Sequence, residues 1–252
     1  MLIVFPICEK EVPLAEKLCS HVARLGGVGS RAALVVGTKS TQGKLDKVVE
    51  TLATCFGSVS THILESEDES GWPRSANHLF TATAAYLDSI KNQHPWYYFE
   101  ADNTPLVAGW ADQVEEEYRL SQKPFMGAVQ PAKIRDAKTG EELGTDGEFI
   151  IGSAVYPADF TRRSIIWRYL SDVPWDVHMR WEIRPNACAS NRIFSNWRSV
   201  GYSRSADGRI VCDPLDDRSV TDPIPETAVV VHGCKDGSLI DLLSEPPAKK
   251  KK

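Results

Sequence analysis

The chain has 252 residues, 42% hydrophobic and 25% charged, the balance of a globular protein long enough to bury a substantial α/β core. No stretch approaches the ~18 apolar residues of a membrane span, and MLIVFPIC lacks a basic leader, so it reads as a first strand and the protein as cytoplasmic, with no membrane partner. A net charge of −5 excludes a nucleic-acid footprint over the whole surface, although 4 arginines lie among residues 1–125 and 11 after them, which leaves room for an acidic partner on the C-terminal side.

Strand and helix signals alternate through the first half. MLIVFPI is a compact apolar run. EVPLAEKLCSHVARLGG follows with Leu14, Leu18, Val22 and Leu25 at helical spacing and a Gly stop. AALVVG predicts a second strand, TQGKLDKVVETLATCFG a second helix and SVSTHIL a third strand. The acidic run ESEDESGWP reads as a solvated loop, and SANHLFTATAAYLDSIK as a helix capped by Ser75. WYYFE is the fourth strand, ending at Glu100 and Asp102, and a fresh helix begins after VAGW. Such alternation implies right-handed crossovers and a mostly parallel sheet with helices on both faces. Ligands of such sheets bind beyond the carboxyl ends of the strands, where Glu100 and Asp102 fall.

The second half is less regular. FMGAVQPA and EFIIGSAVYP read as strands, KIRDAKTGEELGTDG as a polar excursion and Asp159–Leu170 as a short helix. Residues 173–201 have poor periodicity, TAVVVHG is a last strand, and KDGSLIDLL a turn. We read residues 1–243 as one catalytic domain, with a donor half (1–125) and an irregular acceptor half (126–243), and residues 244–252 as a disordered basic tail. The six cysteines show no CxxC spacing, which argues against zinc and fits reduced, mostly buried thiols.

Acids at i and i+2 of an extended backbone project to one side. Either they are two exposed loop acids or, next to a buried strand, their repulsion calls for a cation, and Mg²⁺ or Mn²⁺ is commonly held by one or two carboxylates together with substrate phosphate. Phe5-Pro6, GWPRSANHLFTATAAYL, YYFEADNTP and VAGW occur in this order, with 25 residues from Asn77 to Asp102. In these segments the chain resembles glycosyltransferases of the GT-A (Rossmann-like) fold, most closely the family 2 type. The resemblance spans roughly residues 1–165. It implies a nucleotide-sugar donor, a UDP-sugar first, on Mn²⁺ or Mg²⁺ held by Asp102 and Glu100. Glu100 stands where the family has Asp, so Asp102 is the firmer ligand. AALVVGTKS lacks the acid that often follows the second strand to hold base or ribose, which leaves the nucleotide open.

The resemblance extends to further residues. His232, ending the last strand, corresponds to the C-terminal His that returns to the metal, with Lys235 near the diphosphate. Asp176, with Glu182 in reserve, stands where inverting relatives keep the acid that accepts the attacking hydroxyl's proton. Pro6, Ala101 and Gly152 complete the donor side, Gly152 being either a packing glycine or one that admits a close ligand. Arg74 and Asn77 flank Ser75, where they either orient an anion or serve the helix end. Small glycosyltransferases of bacterial viruses look similar in the ExDxxPLxxGW block, and some of these modify hydroxymethylated bases in DNA. Arginines from Arg162 to Arg209, interleaved with Trp167, Trp175, Trp181 and Trp197, could serve such an acceptor, or the rings could be core.

Other motifs fail on context. LGGVGSR follows a helix, whereas a dinucleotide fingerprint follows a strand. HExxH, GxSxG and a P-loop are absent. A sugar-phosphate nucleotidyltransferase would carry a Gly-rich loop where this chain reads PICEKEVP. A non-catalytic binding module is the remaining alternative.

Overall fold

A computed structural model describes residues 1–66, 70–135, 142–163, 172–196, 199–205, 210–214 and 223–245. Its strands are β1 (Leu2–Ile7), β2 (Ala32–Gly37), β3 (Ser58–Ile63), β4 (Trp96–Tyr98), β5 (Asn103–Pro105), β6 (Phe125–Gly127), β7 (Val129–Arg135), β8 (Glu142–Ile150), β9 (Val155–Tyr156), β10 (Ala187–Ala189), β11 (Ile193–Ser195), β12 (Ser199–Arg204), β13 (Ile210–Pro214) and β14 (Val230–His232). The helices are α1 (Val12–Leu25), α2 (Asp46–Ala53), α3 (Arg74–Ser89), α4 (Trp110–Ser121), α5 (Phe160–Arg163), α6 (Trp175–His178), α7 (Arg180–Ile183) and α8 (Ser238–Ser244). None of them is long and apolar enough to cross a membrane.

Seven strands form one sheet in the order β10-β6-β9-β4-β1-β2-β3. Within it only β9 runs antiparallel, against both β4 and β6. Apolar runs rather than alternation build β1, β2 and β4 because both faces are covered there, while the edge strand β3 is exposed or half-buried throughout. Ile3, Phe5 and Ile7 of β1 face a core shared with α1, α2 and α4, while Val4 faces the core of α3. β4 and the residue after it divide likewise, with Tyr97 and Phe99 on the first face and Trp96 and Tyr98 on the second. Phe80 of α3 sits among Trp96, Tyr98, Tyr156, Phe160 and Trp175, and stacks on Trp175 at 3.5 Å. Edge-to-face and stacked pairs of this kind add about 0.5–1.5 kcal/mol each beyond area burial.

The chain runs from β1 outward to β2 and β3, then returns on the other side of β1 as β4. The switch point between β1 and β4 opens a crevice at their carboxyl ends. Pro6 sharpens it. Val4 O accepts the Phe99 N–H at 2.7 Å, and the next β1 residue on that edge is Pro6, which has no N–H to return. β4 therefore leaves the sheet, and residues 100–103 turn away from it. A second sheet, β11-β14-β5, lies beyond that turn, with His232 opposite Asn103 on one side and Ser195 on the other.

Several local expectations change. α3 starts at Arg74 with Pro73 in the cap position, and the Ser75 N–H donates to Gly71 O, so Ser75 lies in the first turn rather than capping it. α2 starts at Asp46 because a 3-10 turn, Lys39–Thr41, and Gly43 precede it. FMGAVQPA divides into β6 and β7, and the described parts of the polar excursion lie in β7 and β8, which pair antiparallel. EFIIGSAVYP divides at residues 151–154 into β8 and β9, and KDGSLIDLL contains α8. In LGGVGSR, Gly27 packs on Gly109, where a Cβ would stand 2.4 Å from the Gly109 nitrogen, so a glycine there lets this loop meet the start of α4. Cys19, Cys212 and Cys234 are buried and the other three half-buried, all as free thiols. The helix read over Asp159–Leu170 is described as far as Arg163. Glu67, Asp68 and Glu69 of the acidic run and the tail from residue 246 lie outside the described residues.

Candidate metal and donor site

Glu100, Ala101, Asp102 and Asn103 form a tight turn rather than an extended segment. Glu100 O accepts the Asn103 N–H at 3.0 Å and the Asn103 side-chain amide at 2.9 Å. Ala101 is buried in the core that faces α1, which leaves the flanking acids to turn into the crevice. Asp102 O in turn accepts the N–H groups of Gly233 and Cys234, tying the turn to the end of β14.

That tie carries His232 to the acids. His232 Nε2 lies 2.8 Å from Glu100 Oε2 and 3.3 Å from Asp102 Oδ1. Its Nδ1 lies 3.1 Å from Ser195 Oγ, and Ser195 O accepts from Gln130 Nε2 at 3.1 Å. Nε2 is thus the nitrogen facing the carboxylates, while Ser195 orients the ring from behind, an arrangement typical of metal-binding histidines. Asp102 Oδ1 is buried without a hydrogen bond. A buried carboxylate oxygen without a hydrogen bond, beside a second carboxylate and an imidazole, is a donor set that fits a divalent cation.

Without a cation the proton takes that place. Burial lowers the His232 pKa, but the Asp102 and Glu100 carboxylates override it and push the value up to about 9. The ordinary value is 6.5, so the charged imidazole stabilises the metal-free protein fully below that pH, and this contribution is lost as pH rises through about 9. A cation held by Nε2 would compete with that proton. We therefore expect the apparent Mn²⁺ affinity to rise by about tenfold per pH unit and to level off near pH 9. Mn²⁺ titrations across that range check this, and a flat affinity would show that His232 is not a ligand.

Asp176, on α6, approaches from the α3 side. Its Oδ2 accepts the Gly152 N–H at 3.0 Å and its Oδ1 the Val177 N–H at 2.8 Å. Burial, joined by the charge of Glu100, raises its pKa to about 7 against those two donors and the charge of His232. Gly152 is buried, and a Cβ there would lie 2.9 Å from Trp175 Cζ2 and 3.4 Å from Glu100 Oε1. Its missing side chain makes room for Trp175. Glu11, which the sequence reading passed over, completes the acidic crevice. Its pKa is raised by burial, with the Glu100 and Asp102 charges adding, while Oε2 accepts the Cys8 N–H at 3.1 Å. PICEKE after β1 was the available signal, since that segment ends at the switch point.

The other candidates are placed as follows. Pro6 is buried within β1, paired with Val36. Lys235 is exposed, and its charge reaches His232. Arg74 Nε meets Asp172 Oδ1 at 2.5 Å. The Asn77 amide engages the backbone of Val173 and Trp175. Glu182 is half-buried on α7, where its carbonyl accepts from Asn186. Trp175 is core, stacked on Phe80, so it cannot serve as a base-stacking ring. Trp181 is 62% exposed, with the Arg180 guanidinium 5.0 Å from its ring. Trp167 and Trp197 lie outside the described residues. Arg162, Arg163, Arg180 and Arg184 are each paired with an acid: Asp88, Asp159, Asp146 and Glu148.

No protein-family model matches the chain, and no curated protein matches it in sequence. Solved structures do match in fold. An active-site mutant of LgtC aligns over 93% of this chain and 87% of its own, with a TM-score of 0.55 and 12% identity. The galactosyltransferase LgtC in complex with donor and acceptor sugar analogues aligns over the same shares, with a TM-score of 0.53 and 15% identity. The bifunctional glycosyltransferase WbbM in its apo form aligns over 77% of this chain and 39% of its own, with a TM-score of 0.50 and 9% identity. At such identities the likeness is one of architecture: the chain has the mixed α/β GT-A fold, with a mostly parallel seven-stranded sheet, that these glycosyltransferases share.

Proposed function

We propose that the protein is a metal-dependent glycosyltransferase that moves a sugar from a nucleotide-sugar donor, a UDP-sugar first, to a hydroxyl acceptor. The observation that carries this reading is the convergence of Glu100, Asp102 and His232 at the switch point, with Asp102 Oδ1 left without a hydrogen bond.

Asp102, Glu100 and His232 would hold Mn²⁺ or Mg²⁺. The ion, when bound, neutralises charge on the leaving diphosphate. Lys235, exposed beside His232, adds a point charge for the same group. The acceptor oxygen forms a bond to the anomeric carbon as the bond from that carbon to the diphosphate oxygen breaks. If configuration inverts, the hydroxyl proton passes to Asp176, whose pKa of about 7 suits a base near neutral pH. If configuration is retained, Asp176 positions the acceptor.

The acceptor is a hydroxyl of a saccharide, of a protein or of a hydroxymethylated base in DNA. The exposed Trp181 with Arg180 over its ring is the feature that favours testing the DNA base. The test incubates the protein with a panel of nucleotide sugars and Mn²⁺, with and without hydroxymethylcytosine DNA, and follows nucleotide release and product mass. We expect nucleotide release with at least one donor and its loss in EDTA. Binding without release from any donor would make the chain a binding module, and no mass gain on DNA would remove the DNA acceptor alone.

A further inference from the structure

Asn77 is polar and only 1% exposed, on the first turn of α3, outside the metal cluster. Its Oδ1 accepts the Trp175 N–H at 2.7 Å and its Nδ2 donates to Val173 O at 2.9 Å. A carbonyl at i and an N–H at i+2 are what an extended segment offers to one edge, and the planar amide of Asn presents the matching donor and acceptor side by side. Pro174 lies between them in an extended conformation, φ −52° and ψ 137°, and has no N–H of its own to offer. Three residues further along the same helix face, Phe80 stacks flat on the indole of Trp175. One face of α3 therefore grips both the backbone and the side chain of Trp175.

Trp175 is the first residue of α6, a four-residue helix too short to set its own direction. The next residue is Asp176. With Trp175 fixed, the Asp176 carboxylate falls on the Gly152 N–H, in the space beside Glu100. We propose that Asn77 is a positioning residue, clamping residues 173–175 so that α6 presents Asp176 to the site. This inference rests on the role given to Asp176 above. The first helical turn after GWPRS thus connects to the chemistry through α6 rather than through a bound anion.

The test uses the full chain and the variants Asn77→Ala, Asn77→Asp, Asp176→Asn and the double variant Asn77→Asp/Asp176→Asn. Asn77→Asp keeps the acceptor for Trp175 and sets an oxygen against Val173 O, so it opens the clamp at constant shape. Backbone amide exchange by NMR gives a readout free of turnover. In the Asn77 variants the Gly152 amide should exchange at least about tenfold faster, while β1 and β2 amides keep their parent rates. Loss of the β1 amides would report global unfolding of Asn77→Ala, and Asn77→Asp then carries the comparison. With Mn²⁺ and UDP-glucose or UDP-galactose, kcat for nucleotide release should fall by about 10–100-fold with donor KM within about threefold. In the Asp176→Asn background the further loss should be under about threefold. A parent-like Gly152 exchange rate, or a full Asn77 loss repeated in the Asp176→Asn background, would overturn the proposal. Full turnover by Asp176→Asn alone would remove the role of Asp176 and this proposal with it. Impaired Asp176→Asn beside unimpaired Asn77 variants would remove only the clamp.

Discussion

Asp102→Asn should sharply reduce metal-dependent turnover while leaving the fold intact. The substitution keeps the shape of the side chain and the carbonyl that receives Gly233 and Cys234, so the turn at the end of β4 stays tied to β14. What is lost is the charge on an oxygen that makes no hydrogen bond and stands 3.3 Å from His232 Nε2. A neutral amide there presents a weak carbonyl or an N–H to a cation. Outer-shell partners of a metal site typically matter by about 10–100-fold in affinity. A direct carboxylate ligand should cost at least the upper end of that range, and turnover at fixed Mn²⁺ should fall by about 10²–10³-fold. The melting temperature in EDTA should stay within a few degrees of the parent, since the lost attraction to His232 is offset by relief of repulsion with Glu100 and Glu11. Mn²⁺ should no longer raise it. Full turnover by Asp102→Asn would remove the carboxylate–metal reading.

Gly152→Ala should separate metal binding from presentation of Asp176. An added Cβ would stand 2.9 Å from Trp175 Cζ2, an atom of a rigid ring that stacks on Phe80 with ring centroids 3.5 Å apart. The ring cannot swing away without breaking that stack, and moving it displaces Asp176, the next residue along. Overpacking of this kind costs about 1–3 kcal/mol of stability. A displacement near 1 Å at a reacting group can cost about 100-fold in rate. The contact to Glu100 Oε1, at 3.4 Å, is milder, so Mn²⁺ affinity should change by less than about tenfold. Near-UV circular dichroism should report the disturbed Trp175–Phe80 stack alongside the fall in kcat. Parent kcat with an unchanged spectrum would show that the residue 152 backbone yields freely, and that the Gly152–Trp175 contact does not set Asp176.

Legibility in the sequence followed the physics of each region. In the first 125 residues β1, β2 and β4 are buried on both faces and the helices carry one apolar stripe, and these give clear runs and periods, whereas the edge strand β3, SVSTHI, is exposed or half-buried throughout. The antiparallel pair of β7 and β8 has a mostly exposed second strand, ELGTDGEFI, with little apolar content to mark it. β5 is three residues long, and its pairing with β14 is set by tertiary approach. The metal candidates were legible because two acids closing an apolar strand, and a His closing another, are costly unless a ligand uses them. The turn that makes the acids converge was not, since the sequence suggested an extended spacing. Glu11, Ser195 and the engagement of Asn77 with residues 173–175 depend on contacts across 89, 37 and 96 positions of chain, which no local pattern encodes. Trp175 was open to both readings because composition cannot distinguish a ring that packs on Phe80 from one that waits for a base.

In the proposed function Glu100, Asp102 and His232 seat a divalent cation on a nucleotide diphosphate. The most direct test is calorimetric titration of UDP into the protein with and without Mn²⁺. The two ligands should support each other, with UDP binding at least about tenfold tighter in Mn²⁺ than in EDTA. Asp102→Asn should erase that difference. UDP binding of equal strength in both conditions, or a Mn²⁺ effect that survives Asp102→Asn, would contradict the account.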